Sequence, residues 1–331
     1  FVPAHFIKKH SMEDGTFVEA QAVHAKGKPA PAVKTLEKLN GYAAADFRQR
    51  RAFHDGDAVS PHEWLRLKGG TSTRIIDLIT PIGKGQRAII AAPPRSGKTV
   101  LIEQMVKAVE KEHPECICIV LLIDERPEEV THFRRSFPDT TIMASSNDND
   151  AIEHITLARQ TFGVAKAMVE QGKDVVIFLD SLTRLCRTFN SQQRGGGKTL
   201  SGGLDTNALT EPKKMFGLAR KIENGGSLTI LATALIETDS KMDDVIFREF
   251  KGTGNMDLVL DRDLSDRNIY PAININASGT RNEHRLFGPE INEQVQDLRC
   301  ELADCRKQEA IRQLISLVER YPTKEEFLKL Q

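Results

Sequence analysis

The chain predicts an α/β fold built round a mostly parallel sheet, and three observations lead there. From Ile75 onward, short apolar runs alternate with segments whose apolar residues recur at helical spacing, the pattern of parallel strands joined by crossover helices. The runs are nearly continuous in apolar residues, so both faces of the sheet must be covered. One run, Ala88-Ile89-Ile90-Ala91, leads into Ala92-Pro93-Pro94-Arg95-Ser96-Gly97-Lys98-Thr99 and then into the helical pattern of Val100–Val106. Strand, tight loop, Gly-Lys-Thr and helix are the context that a phosphate-binding loop requires.

In chain order, residues 1 to about 41 hold two alternating stretches, Thr16–Ala20 and Ala32–Leu36, split by a turn at Lys26-Gly27-Lys28-Pro29. They read as a small β unit, too slight to stand alone. Residues 42–80 read as a linker, with a basic cluster at Arg48-Gln49-Arg50-Arg51 on a solvated face and a joint at Gly69-Gly70-Thr71-Ser72-Thr73. Residues 81–331 form the main domain. Its core strands are expected at Ala88–Ala91, Cys116–Ile123, Thr140–Ala144, Val175–Leu179 and Leu228–Leu235, with helices at 97–112, 127–136, 149–172 and 207–224. Amphipathic helices close the chain, the last opened by a capping box of Thr323 with Glu326.

A formal net charge of +0, from 46 basic and 46 acidic residues, excludes a global basic field, so any nucleic acid must be met by local cations. Five cysteines without a C-x-x-C exclude a disulfide framework and a zinc signature, and fit reduced thiols in a cytoplasmic protein. No run approaches the length of a membrane span.

The chemistry gathers at strand ends. Unpaired N–H groups at the helix start attract phosphate oxygens, Lys98 adds charge on the β- and γ-phosphates, and the Thr99 hydroxyl is a ligand for Mg²⁺. Ala92 stands where the phosphate-loop pattern has its first Gly, which would deny the loop a cheap positive φ at that point. Asp180 ends Val175–Leu179 and is placed to order Mg²⁺ through its water shell. Glu125, just past the run Leu121-Leu122-Ile123-Asp124, is the candidate to orient water for attack on the γ-phosphate. Two glycine-rich loops, Gln193–Gly203 and Phe250–Asn255, each carry a lysine on a mobile backbone, Lys198 and Lys251, suited to phosphates of a polyanion.

Taken together, Pro81-Ile82-Gly83-Lys84-Gly85-Gln86-Arg87, Ala92–Thr99, Leu121–Val130, Asp180-Ser181-Leu182-Thr183-Arg184, Gly202-Gly203, Ser240-Lys241-Met242-Asp243, Phe250–Asn255 and Ser278-Gly279-Thr280-Arg281 resemble the bacterial transcription termination factor Rho family over about residues 60–330. The resemblance implies a RecA-like P-loop NTPase in a homohexamer, preceded by an incomplete OB-fold-like (cold-shock-like) β segment. It implies RNA-dependent ATP hydrolysis driving 5′→3′ translocation and helicase action that releases the nascent transcript. Its partners would be single-stranded RNA and the RNA polymerase elongation complex, with no membrane.

On the same resemblance, the nucleotide would be lined by Gly83, Lys84, Gly85, Gln86, Arg87, Ala88, Arg95, Ser96, Gly97, Lys98, Thr99 and Val100, with Arg126 a gate on the γ-phosphate side and Tyr270 over the base. Lys98, Glu125 and Asp180 would be catalytic. Arg281, by itself one arginine after a strand, would be a finger reaching a neighbour's site. Lys198, Thr199, Leu200, Ser201, Gly202 and Gly203 would touch RNA in the channel, with Lys251 as a second contact.

Pro29-Ala30-Pro31-Ala32 occupies the region of the family's Arg-aromatic pair, which takes base stacking out of the first segment there. Arg267-Asn268 stands where two basic residues are common. Two rival readings stay open: another RecA-like ring ATPase of the rotary ATP synthase or secretion type, and an RNA-binding scaffold that holds nucleotide only to stabilise its ring.

Overall fold

A computed structural model describes residues 1–24, 30–193 and 199–321. The expected turn at Lys26–Pro29, Lys198, and the Thr323/Glu326 capping box lie outside the described residues. Helix α1 (Ala4–His10) precedes an antiparallel sheet of β1 (Val18–Val23), β2 (Ala32–Leu39) and β3 (Tyr42–Ala43). Then come β4 (Ala58–Val59) and α2 (Thr71–Ile79). The expected linker is therefore partly core. Gly70 caps α2, Thr73 Oγ1 donates to the Gly70 carbonyl (3.0 Å), and only Gly69-Gly70 remains of the joint.

The parallel layer runs β5 (Arg87–Ala92), α3 (Lys98–Glu112), β6 (Cys116–Glu125), α4 (Pro127–Ser136), β7 (Thr141–Ser146), α5 (Ala151–Glu170), β8 (Asp174–Asp180) and α6 (Leu182–Ser191). A short hairpin, β9 (Thr199–Leu200) with β10 (Leu204–Asp205), leads to α7 (Thr210–Phe216), β11 (Arg220–Ile222), β12 (Ser227–Leu235), α8 (Lys241–Lys251), β13 (Met256–Val259) and α9 (Arg262–Asp266). β14 (Gly279–Thr280), α10 (His284–Phe287), α11 (Pro289–Ala303) and α12 (Lys307–Arg320) finish it.

The main sheet has the order β14-β13-β5-β12-β8-β6-β7, and β11 joins β4 to the start of β12. From β13 to β7 all neighbours are parallel. Alternate residues feed two cores. Cys116, Cys118, Val120 and Leu122 of β6 pack on the side of α2, α3 and the terminal helices, while Ile119, Leu121 and Ile123 pack on the side of α5 and α6. Each buried aliphatic side chain contributes about 1.5–3 kcal/mol, which is why the strands read as continuous apolar runs.

Two departures from the sequence reading have local causes. The helix expected at 207–224 stops at Phe216, and Arg220–Ile222 turns back as a hairpin arm. Asn224 (φ 55°) with Gly225-Gly226 makes the turn, Ile222 N–H donates to the Gly226 carbonyl (3.0 Å), and Arg220 pairs Leu228. β13 escaped notice because four residues containing Asp257 give no apolar run.

The amino-terminal sheet has a small core of its own, Leu39, Ala44 and Phe47, and is held on α5. Glu170, the last residue of α5, accepts from Arg50 Nε (2.9 Å), Asn40 Nδ2 (3.4 Å) and the Phe53 N–H (3.0 Å). Arg50 thus leaves the solvated cluster expected of it and forms a buried ion pair. Beside it, Gly163 meets the Asp14 carbonyl so closely that a Cβ would sit 1.8 Å from the oxygen. Glu170→Ala leaves those donors without an acceptor, and its expected cost is on the order of 3–5 kcal/mol. Urea unfolding measures it; a change under about 1 kcal/mol would mean the pair is not buried in solution.

Candidate active site

Parallel strands end together, and the crevice beyond their C-terminal tips is where such sheets bind ligands. β5 delivers residues 93–99, β8 delivers Asp180, and β6 delivers Glu125. The loop and Glu125 line a cleft of about 860 Å³, walled also by Arg126, Arg184, Val100, Gln104 and Tyr270, with Asp180 buried behind Lys98. Ala92 is the last residue of β5 and pairs Leu235, so it is extended and needs no positive φ. The positive φ values fall at Arg95 (63°) and Gly97 (83°) instead. Gly97 also admits the Tyr270 ring, whose Cε1 would lie 3.1 Å from a Cβ there. The half-exposed Tyr270 ring and exposed Val100 offer an apolar seat for a base at the cleft mouth.

Lys98 Nζ donates to both Asp180 oxygens, at 2.5 and 2.6 Å, and lies 4.0 Å from Glu125 Oε2. Thr233 Oγ1 donates to Asp180 Oδ1 (2.8 Å). Glu125 and Asp180 are each 1% exposed. Burial, then the neighbouring Asp180 charge, pushes the Glu125 carboxyl above its ordinary range, while Lys98 and Arg184 pull the other way. Arg184, to which sequence reasoning gave no role, donates through Nη2 to Glu125 Oε1 (3.0 Å) and through Nη1 to the Asp124 carbonyl. Its signal was its place four residues after Asp180, on the first turn of the helix leaving that strand. Glu125 Oε2 is buried with no hydrogen-bond partner among the described residues. An acceptor held free of protein partners beside a lysine is suited to a water molecule.

Gly83, Lys84, Gly85, Gln86, Arg87 and Ala88, expected round the nucleotide, do not line this cleft. They sit at the N-terminal end of β5, one strand length or roughly 20 Å from the loop. There they lock the sheet. Lys84 Nζ binds Asp174 (2.7 Å), and Gln86 Nε2 donates to Asn255 Oδ1 (2.7 Å). Gly85 (φ 94°) passes so close that a Cβ would meet the Lys221 nitrogen at 2.4 Å. Burial alone would lower the Lys84 ammonium, but the Asp174 hydrogen bond and the charges around it carry it upward.

Arg281 lies at that same far end, exposed, its N–H on the Asn255 carbonyl (2.9 Å). Lys251 is there too, since both bear on Asp257. Lys251 ends α8, whereas Gly202 packs against Lys241 and Met242 at the start of α8, about 15 Å away along the helix axis. The residue that shares a surface with Leu200, Ser201, Gly202 and Gly203 is Lys241, which is exposed.

Thr99 and Asp180 are a hard-oxygen pair that suits Mg²⁺. Among the described residues no group of three or more His, Cys, Asp or Glu converges to hold a metal.

A lysine from one strand tip held between carboxylates from two others, all at one sheet edge, defines a nucleotide-binding P-loop ATPase. In keeping with this, residues 72–280 match the ATP synthase alpha/beta family, nucleotide-binding domain. The fold is shared with an ATPase from the type III secretion system of pathogenic bacteria, at TM-score 0.69, 21% identity and 92% of each chain. Within this class, the chain belongs to the transcription termination factor Rho family. It is 44% identical to that factor from Streptosporangium roseum over 99% of this chain and 84% of the relative, and 45% identical to that from Aquifex aeolicus over 99% and 77%. The Micrococcus luteus relative is 44% identical, and this chain spans 50% of its length. The rotary or secretion-type alternative gives way at this point, because the likeness to the secretion ATPase is one of fold.

Because a general base works only when ionised, turnover of ATP is expected to fall as pH drops through a Glu125 value lying above the ordinary carboxylate range. Arg184→Gln should move that acid limb to still higher pH. A pH–rate profile whose limb is unmoved would separate Arg184 from Glu125 electrostatics.

Proposed function

We propose that the chain is an RNA-stimulated, magnesium-dependent ATPase that works as a ring of six identical subunits and moves along single-stranded RNA to end transcription. The observation that carries the reading is the polarity of the sheet. Lys98, Glu125 and Asp180 converge at one edge, and Arg281 stands at the opposite edge. An arginine so placed reaches a reacting phosphate only in another copy's cleft.

The chain's own residues then divide the work. Arg95, Ser96, Gly97 and the first N–H groups of α3 cradle the phosphates, and Lys98 leaves Asp180 for phosphate oxygens. Glu125 Oε2 accepts a hydrogen bond from the attacking water and takes its proton as the water oxygen bonds the γ-phosphorus and the bond from that phosphorus to the β–γ bridging oxygen breaks, with ADP leaving. Arg126 stands exposed at the cleft rim, on the γ-phosphate side. The adjoining copy's Arg281 and Lys251 meet the charge that builds on the transferred phosphoryl group. Thr99 and, through water, Asp180 would hold Mg²⁺, which would supply charge neutralisation on the triphosphate. RNA would run past Lys241 and the 198–203 loop, with phosphates paired to lysine. The amino-terminal sheet would be the remnant of the OB-like capture unit.

Glu125→Gln is expected to bind ATP and fail to turn it over, in a filter-binding assay paired with phosphate release. Arg281→Ala should be inactive alone yet regain activity when mixed with inactive Lys98→Ala subunits, because mixed seams join an intact loop to an intact finger. No recovery on mixing would remove the shared-site reading. Lys241→Ala should weaken RNA binding and reduce the salt slope of the affinity by about 1. An unchanged slope would take Lys241 off the RNA path.

A further inference from the structure

Asp257 is a carboxylate for which neither the fold nor the cleft has a use. It lies on β13 opposite Gly279 of β14, so no side chain covers it from across the pair. Its Oδ1 is buried and has no hydrogen-bond partner among the described residues. Leaving a charged oxygen in that condition is destabilising.

Two cations bear on it. Lys251, at the end of α8, and Arg281, one residue past β14, are the charges that oppose the effect of burial on this carboxyl. Arg281 is two residues on from Gly279 and therefore on the same face as Asp257, a diagonal cross-strand neighbour at roughly 7–8 Å. The other arginine close by, Arg299, is committed to the Ser278 carbonyl (3.2 Å) and the Ile79 carbonyl. A lysine and an arginine directed at one phosphate repel each other, and an anion between them offsets that repulsion.

We infer that Asp257 is a positioning residue that holds Lys251 and Arg281 converged as a two-cation finger for the adjoining copy's γ-phosphate. It touches neither nucleotide nor water. This rests on the shared-site reading above. Burial lifts the Asp257 carboxyl, and the two cations pull it back toward ionisation, the form the role requires.

The test compares wild type, Asp257→Asn, Asp257→Glu and Arg281→Ala in the intact chain, with ATP and poly(C) RNA. Asp257→Asn should lower kcat about tenfold while KM for ATP and the mass of the assembled particle stay unchanged, as expected when only a transition-state contact is lost. Asp257→Glu, which restores the charge one methylene further out, should recover most of the rate. Wild-type kcat in Asp257→Asn overturns the role. So does loss of the assembled particle, or an Asp257→Glu variant as slow as the amide, since either makes the residue merely structural. If Arg281→Ala is slow and Asp257→Asn is not, only the Asp257 inference falls. If neither is slow, the shared-site reading falls with it.

Discussion

Two carboxylates, Glu125 and Asp180, are buried side by side at the edge of a parallel sheet, and the rest of the structure depends on keeping them there. Burial and the neighbouring Asp180 charge drive Glu125 toward its neutral form. Lys98 binds both oxygens of Asp180, and Arg184 holds one oxygen of Glu125. The second Glu125 oxygen has no hydrogen-bond partner among the described residues. The continuous apolar strands, the two cores and the crossover helices serve to bring three strand tips within a few ångströms. They also keep water away from charges that act more strongly without it.

Sheet polarity has a second consequence. The residues that bind phosphate and those that could stabilise its transfer occupy opposite ends of the strands. On the shared-site proposal, a single copy holds half a site at each end of its strands. The buried pairs at the far end, Lys84 with Asp174 and Gln86 with Asn255, fix the edge from which Lys251 and Arg281 project. That stiffness explains why the Gly83–Ala88 stretch is so distinctive in sequence although it lines no nucleotide cleft in its own chain.

Much of this was legible in the residues. The phosphate loop, the Asp180 and Glu125 strand tips and the parallel layer followed from apolar runs and from the Gly-Lys-Thr context, because such signals are local. What stayed hidden was long-range. The pairing of Arg50 with Glu170 joins residues far apart in the chain, so a basic cluster looked solvated. Lys251 and Lys241 lie ten positions apart on one helix, and only its orientation shows which of them meets the Gly202 loop and which meets Arg281. The resemblance alone places Gly83–Ala88 round the nucleotide, and only the fold shows that the stretch lies at the end of β5 away from its own chain's cleft. The Arg220–Ile222 arm, by contrast, carried a legible Asn224-Gly225-Gly226 turn that a helix-length apolar pattern obscured.

The central claim is that cleavage takes place only where two copies meet. Specific activity measured across a dilution series, with light scattering on the same samples, tests it directly. Turnover per chain should stay constant while the ring persists and vanish as it dissociates to single chains. Dissociated chains that hydrolyse ATP at the undiminished rate would contradict the account.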